Sequence, residues 1–131
     1  MGRPAAARPL VLDAGALIAF DRRDRRIAVL VQRALEIGSP ILVPSGALAQ
    51  AWRDGSRQAN LARLLHDRGV SIESLSEAMA KAAGELCGRR ETADVIDAFV
   101  VLVARRRGGV VASSDPDDLH HLDPNLVVAE I

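Results

Sequence analysis

The amino-acid sequence predicts an α/β domain of three layers, a parallel sheet of four or five strands with helices packed on both faces. Three observations carry that expectation. Strand-like and helical segments alternate along the chain, the order produced when each strand is followed by a crossover helix. The strand-like runs are apolar at successive positions rather than at every second one, as strands covered on both faces are. Hydrophobic residues make up 49% of the chain and aromatics only 2%, so the core has to be built from Val, Leu, Ile and Ala, which suits helices packed tightly on a sheet. At 131 residues the sequence is expected to form one domain, 1–131, around a single core.

The first run, Pro9-Leu10-Val11-Leu12, ends at Asp13-Ala14-Gly15, and Ala16 to Phe20 is compatible with a short helix. From Arg23 to Ile37, the residues Ile27, Leu30, Val31, Ala34 and Leu35 recur at helical spacing, with Gly38 placed to end the helix in a left-handed cap. Ile41 to Val43, closed by Pro44, reads as the second strand, and Ser45 as the cap of a helix over Ala47 to Arg53. Arg57 to Asp67 repeats the helical pattern through Leu61, Leu64 and Leu65 and stops at Gly69, after which Val70, Ile72 and Leu75 alternate as a third strand. Ser74 or Ser76 caps the next helix, Glu77 to Arg89. Thr92 opens a further helix that is apolar on nearly every side from Val95 to Ala104, so it is expected deep in the domain. Arg105 to Arg107 complement its negative end, and Gly108-Gly109 break it. Val110 to Ala112 is a fourth strand, Ser113 to Asp118 a turn-rich stretch followed by the pair His120-His121, and Leu126 to Val128 a last strand.

Composition excludes several classes of function. The 17 basic and 17 acidic side chains cancel, so any field that attracts nucleic acid has to be local. Scarce aromatics exclude extended base stacking. The single cysteine, Cys87, excludes an intramolecular disulfide and a multi-cysteine zinc site, and a cytoplasmic setting is the default. Met1 to Pro9 carries Arg3 and Arg8 among alanines and prolines, and the apolar run behind it is broken at Asp13, which is not a signal-peptide pattern. No run approaches the roughly 18 apolar residues of a membrane-spanning helix, so no membrane partner is expected.

The chemistry lies in the acids. In open parallel sheets, ligands collect at the carboxyl ends of strands, and Asp13 and Asp115 both follow strands. Either has a purely local explanation, Asp13 as a helix cap and Asp115 as the residue before a helix-initiating Pro116. Asp97 is harder to explain locally, because it is flanked by Ile96, Ala98, Phe99 and Val100, and a carboxylate in such surroundings needs a partner. Asp94 shares its helical face, although a first-turn acid also complements the helix dipole. Two carboxylates about 4 Å apart repel by roughly 4 kcal/mol at an effective dielectric of 20. A shared proton or a cation has to offset this, no lysine or arginine stands at the strand ends, and hard oxygen ligands select Mg²⁺ or Mn²⁺.

Three segments, Val11-Leu12-Asp13-Ala14-Gly15-Ala16-Leu17-Ile18, Asp94-Val95-Ile96-Asp97-Ala98-Phe99-Val100 and Ser113-Ser114-Asp115-Pro116-Asp117-Asp118-Leu119, together resemble the PIN-domain nucleases in order and interval. Within that family the likeness is to the toxins of VapBC-type toxin–antitoxin modules, and it spans nearly the whole chain. The resemblance implies a PIN-like fold and an endoribonuclease in which Asp13, Asp97 and Asp115 hold magnesium or manganese and a metal-activated water attacks an RNA phosphodiester, in a transfer RNA for instance. Asp94 joins them as a catalytic candidate, and Asp94 and Asp118 are second-rank ligands, direct or through water. It also implies a homodimer silenced by a cognate antitoxin protein. One departure stands out. Where the family usually has a glutamate on the helix after the second strand, this sequence has Gln50, an amide that carries no charge and cannot act as a base; Asp54, one turn later, is placed to compensate.

Arg22, Arg23, Arg25 and Arg26 follow the first short helix, where they can line an approach to the acids and neutralise RNA phosphates, or simply form a solvated helix start. Trp52 reads as a packing residue more readily than a base platform, the adjacent His120 and His121 as solvent-facing, and the helices Ile27 to Leu35 and Leu61 to Leu65 as apolar faces for protein partners. Two other functions compete. A phosphoryl-accepting receiver also gathers acids around Mg²⁺, but it needs paired acids after the first strand and a late lysine, and Lys81 is the only lysine. A catalytically weak PIN-like domain that binds RNA or protein is the stronger rival, with Gln50 as its mark.

Overall fold

The computed structural model describes residues 7–131; the expectation for Met1 to Pro9, including Arg3, therefore falls largely outside the described residues. The elements run β1 (Leu10–Leu12), α1 (Ala14–Asp21), α2 (Arg25–Ile37), β2 (Ile41–Pro44), α3 (Ser45–Ala51), α4 (Ala59–Leu65), β3 (Val70–Glu73), α5 (Glu77–Arg90), α6 (Val95–Arg107), β4 (Val110–Ser113), α7 (Pro116–Leu122) and β5 (Val128–Glu130). All five strands are parallel in the order β3-β2-β1-β4-β5, with Leu10 beside both Ile41 and Val110. The three central strands are buried almost throughout, as their unbroken apolar runs require.

The chain moves from β1 outward through β2 to β3, then returns across the sheet to β4 and β5. Right-handed crossovers put the connections made in those two directions on opposite faces. Accordingly α1 packs with α2, α3 and α4, while α5, α6 and α7 pack together. The core between the layers is built around Leu12, Leu17, Ile41, Leu42, Phe99 and Leu119, all buried. No helix among the described residues is long and apolar enough to cross a membrane.

Several boundaries differ from expectation, each for a visible reason. Ser45 lies inside α3 rather than capping it; Pro44 holds the cap position, and the Ser45 hydroxyl accepts the Leu75 N–H at 3.1 Å instead. Helix α3 stops at Ala51 because the Gln58 side chain ties up the following loop, accepting from the Arg53 and Asp54 N–H groups and donating to the Ala51 carbonyl. Asp54 is therefore not on that helix. Helix α4 ends at His66 rather than Gly69, whose carbonyl accepts the Ile41 N–H. Helix α6 starts at Val95, not Thr92, because the Asp94 carboxylate caps the Asp97 N–H at 3.2 Å. Strand β5 begins two residues later than expected, since an Asp123 turn that accepts the Asn125 N–H holds the preceding segment out of the sheet. His120 and His121 belong to α7, where their Nε2 atoms meet the Leu126 and Arg90 carbonyls at 3.0 and 2.7 Å. The apolar faces expected to serve partners are spent internally, for Ile27, Val31, Leu61 and Leu64 are all buried.

Candidate active site

Strands β1 and β4 are neighbours whose onward connections leave in opposite directions, α1 and α2 toward β2 and α7 toward β5. Their carboxyl ends therefore diverge and open a crevice, the position where open α/β sheets take ligands. Asp13 follows β1 directly, and Asp115 lies two residues beyond β4. A third element enters from behind. Helix α6 ends at Gly108-Gly109, which feed β4, and at 13 residues it is about 20 Å long, so its first turn lies at the opposite, carboxyl end of the sheet. Gly46, just past β2, lies close against it: a Cβ on Gly46 would stand 2.7 Å from the Ile96 Cδ1, so a larger residue there would require the Ile96 side chain to shift.

Together β1, β4 and α6 bring a pole of carboxylates to this end of the sheet. Asp13 is buried and caps α1, its Oδ1 accepting the Ala16 N–H at 2.8 Å. Burial raises its pKa; the Ser113 hydroxyl and the Ala16 N–H pull it back, and the charge of Asp115 pushes it up again. Asp97 is half-buried in the first turn of α6, and its pKa is raised from 3.8 to about 7. Burial contributes most, followed by a hydrogen bond with Asp94 and the charges of Asp94, Asp13 and Asp118. Asp13 thus feels Asp115 on one side, and Asp97 feels Asp13 on the other. Behind them the buried Cys87 thiol is raised by desolvation and by Asp94 and Asp97. None of the ion pairs among the described residues involves an acid of this pole.

The sequence pattern of the PIN domain family matches residues 10–123. The chain belongs to the PIN domain family. No curated protein matches it. Solved structures share the fold at low identity. The crystal structure of VapBC2 from Rickettsia felis, bound to a promoter DNA fragment, contains a chain with TM-score 0.69 and 14% identity over 94% of this chain and 98% of that one. VapC20 of Mycobacterium tuberculosis, described as a toxin that cleaves the sarcin-ricin loop, gives 0.67 and 16% over 90% and 96%. FitAcB from Neisseria gonorrhoeae gives 0.63 and 15% over 91% and 95%.

In this PIN domain the expected site residues divide into two groups. Asp13, Asp94, Asp97, Asp115 and Asp118 belong to one connected electrostatic cluster. Their side chains are not closed around a point, however, and among the described residues no three acids, histidines or cysteines are grouped tightly enough to form a metal cage. Gln50 is exposed on α3. Asp54 is committed to its own loop, accepting from the Ser56 N–H and hydroxyl and facing Arg57 at 3.8 Å, so it does not stand in for a missing glutamate. Of the four arginines, Arg22 lines a groove that reaches Gly15 and Ser114, whereas Arg23 sits in the turn at φ 63° and Arg25 and Arg26 open α2.

Sequence reasoning missed the two serines after β4. The buried Ser113 hydroxyl accepts the Asp115 N–H at 2.9 Å and bonds to the Asp13 carboxylate, linking the two strand-end acids. The signal was a hydroxyl at the end of an apolar run and two residues before an acid, the spacing of a side-chain turn. Gly15 was also missed: a Cβ there would stand 2.8 Å from the Ser114 Oγ and 3.6 Å from the Asp13 Oδ1. Trp52, expected in a partly buried packing role, is 36% exposed, with its ring against Gly55.

Proposed function

We propose that this PIN domain is a metal-dependent endoribonuclease, the toxin of a toxin–antitoxin pair, working in the cytoplasm as a homodimer restrained by a cognate antitoxin. The observation that carries the reading is the pole itself: Asp97 is driven to about 7 by burial and by three neighbouring carboxylates. Such an arrangement is costly unless protons or a cation reside there. The donor set fits a hard dication, since every candidate ligand is a carboxylate oxygen. The reading gains support from toxins of the same fold, one of which is described as cleaving the sarcin-ricin loop.

Asp13, Asp97 and Asp115 would hold the ion, with Asp94 and Asp118 reaching it through water. A bound dication supplies acidification of water to near-neutral pKa and neutralisation of charge on the phosphoryl oxygens. The chain's own part is to position. Asp13 is locked by the Ala16 N–H through one oxygen and keeps the other for the site. The Ser113 hydroxyl fixes Asp13 against Asp115. Asp115 makes no side-chain cap bond, so both of its carboxylate oxygens would be available to a cation. Asp97 holds a proton near neutrality and yields it when a cation arrives.

The test is cleavage of RNA by purified protein with Mg²⁺, with Mn²⁺ and with chelator. Wild type cuts only with metal, and Asp97→Asn does not cut although it remains folded. Equal behaviour of the two proteins sinks the enzyme reading. It would favour a catalytically weak PIN domain that binds RNA or protein, which the uncharged Gln50 and the open ligand set motivate.

A further inference from the structure

We infer that the groove beside α1 is the track for one strand of RNA, with Arg22 gripping a backbone phosphate upstream or downstream of the acid pole and Ser114 contacting the strand where it enters. The inference rests on the ribonuclease reading and specifies how its substrate lies. The groove has a volume of about 420 Å³. Gly15, Ile18, Ala19 and Arg22 of α1 and its cap line it together with Asp24, Ser114 and Ile131. At Gly15 it abuts the site, because the position of a Gly15 Cβ is 3.6 Å from the Asp13 Oδ1. With no side chain on Gly15, the backbone leaves that part open.

Arg22 is available for an outside anion. The acids beside it in sequence keep their charge but bond elsewhere: Asp21 accepts the Leu61 N–H at 3.1 Å, and Asp24 accepts the Arg26 N–H at 3.0 Å at the positive end of α2. None of the ion pairs among the described residues includes Arg22. Along α1, Gly15 and Arg22 are separated by about 10 Å, on the order of three nucleotides of a stacked strand at about 3.4 Å each. A phosphate held by Arg22 therefore leaves room for a neighbouring phosphodiester to reach the acids. The chain is neutral overall, so this local cation, set in a groove continuous with a negative pole, supplies the attraction that a global field does not. Compensation of the α1 dipole also accounts for a cation at that helix end, and the two explanations predict different measurements.

The experiment is binding of a short unstructured oligoribonucleotide to metal-free wild-type protein by fluorescence anisotropy across a series of salt concentrations. Arg22→Ala should flatten the slope of log K against log salt by about 0.7, the release expected for one phosphate contact on a single strand. Arg22→Lys should restore the slope, and Arg68→Ala, exposed ahead of β3 at the opposite end of the sheet, should leave it unchanged. Ser114→Ala should weaken binding several-fold with the slope intact. A dipole role alone would lower the Tm of Arg22→Ala without touching the slope, which overturns the proposal. An unchanged slope with weakened inhibition by a partner protein assigns the groove to that protein and overturns it too. Wild type that shows no salt-dependent binding overturns the track, and the ribonuclease reading falls with it only if the same protein also fails to cut RNA with Mg²⁺; cleavage with an unaltered slope removes the track alone.

Discussion

Replacing Asp97 by Asn should make the metal-free protein more stable, not less. In the folded chain Asp97 titrates at about 7 instead of 3.8. A carboxyl whose folded pKa lies above its unfolded value stabilises the fold fully below the unfolded pKa, and that contribution is lost as pH rises through the folded one. At about 1.4 kcal/mol per pH unit, the interval corresponds to about 4 kcal/mol of strain once Asp97 is ionised. Asp97 keeps part of its surface in water, and screening brings the expected effect to about 2–3 kcal/mol. The amide of the variant is uncharged at every pH and can still donate to Asp94, as the protonated acid does. For a chain of this size that is a Tm gain of roughly 6–9 °C in chelator at about pH 9, shrinking to nothing near pH 4, where the wild-type acid is protonated. Differential scanning fluorimetry of both proteins across pH reads it directly. On the metal-binding reading, Mg²⁺ then raises the Tm of wild type and leaves the variant where it was. Equal Tm values at high pH in chelator would mean that Asp97 is not confined among its neighbours, and the argument for the acid pole would fail with it.

Other consequences follow from single contacts. Asp123 is buried; desolvation alone would raise its pKa, but the Arg105 guanidinium at 2.9 Å and the Asn125 N–H bring it below the usual carboxylate range. Asp123→Asn should therefore cost about 1–2 kcal/mol near neutrality, and urea titrations should show the difference from wild type fading as pH falls through the range where Asp123 protonates. Glycines should respond oppositely by place: Gly84, in the middle of α5 with nothing within 4 Å of a new Cβ, should gain about 0.5–1 kcal/mol as Ala. Gly109, whose Cβ would press on the Pro9 carbonyl at 3.1 Å, should lose about 1–3 kcal/mol, and a stabilised Gly109→Ala would contradict that close approach. Gln50→Glu should lower the Mg²⁺ concentration needed for half-maximal RNA cleavage several-fold; no change would detach position 50 from the site.

Much of the fold was legible because it depends on patterns that topology does not alter. The unbroken apolar runs at β1, β2 and β4, and glycines at the left-handed ends of α2 and α6 with φ of 74° and 64°, follow from local chemistry. What escaped depended on side chains acting across a turn. Gln58 shortens α3 and removes Asp54 from it, and Asp123 delays β5; in both cases an amide or carboxylate competes with backbone ladders, and neither residue type announces which it will do. The acids themselves were identified by order and spacing. Their mutual coupling was not readable, since it arises from burial and from the charges of acids far apart in sequence, such as Asp13 on Asp97.

The sequence leaves Asp13 and Asp115 suspended between two roles, helix cap or ligand, and the structure dissolves that choice. Three helices, α1, α6 and α7, begin at the same pole, with Asp13, Asp94 and Asp115 as their cap residues and Asp97 and Asp118 in the first turns of α6 and α7. Each acid is placed where a positive helix end favours a negative charge, by about 0.3–1 kcal/mol at an exposed terminus. Capping occupies one oxygen of Asp13 and one of Asp94, and a carboxylate has two. The helices thereby hold the acids together against repulsion that the same carboxylates would otherwise relieve by moving apart. Burial, with the unrelieved part of that repulsion added to it, raises the pKa values of Asp13 and Asp97. On the metal-binding reading, a cation at the pole would not have to displace the caps of Asp13 and Asp94 to reach an oxygen, so capping and ligand capture would draw on different atoms of the same side chains.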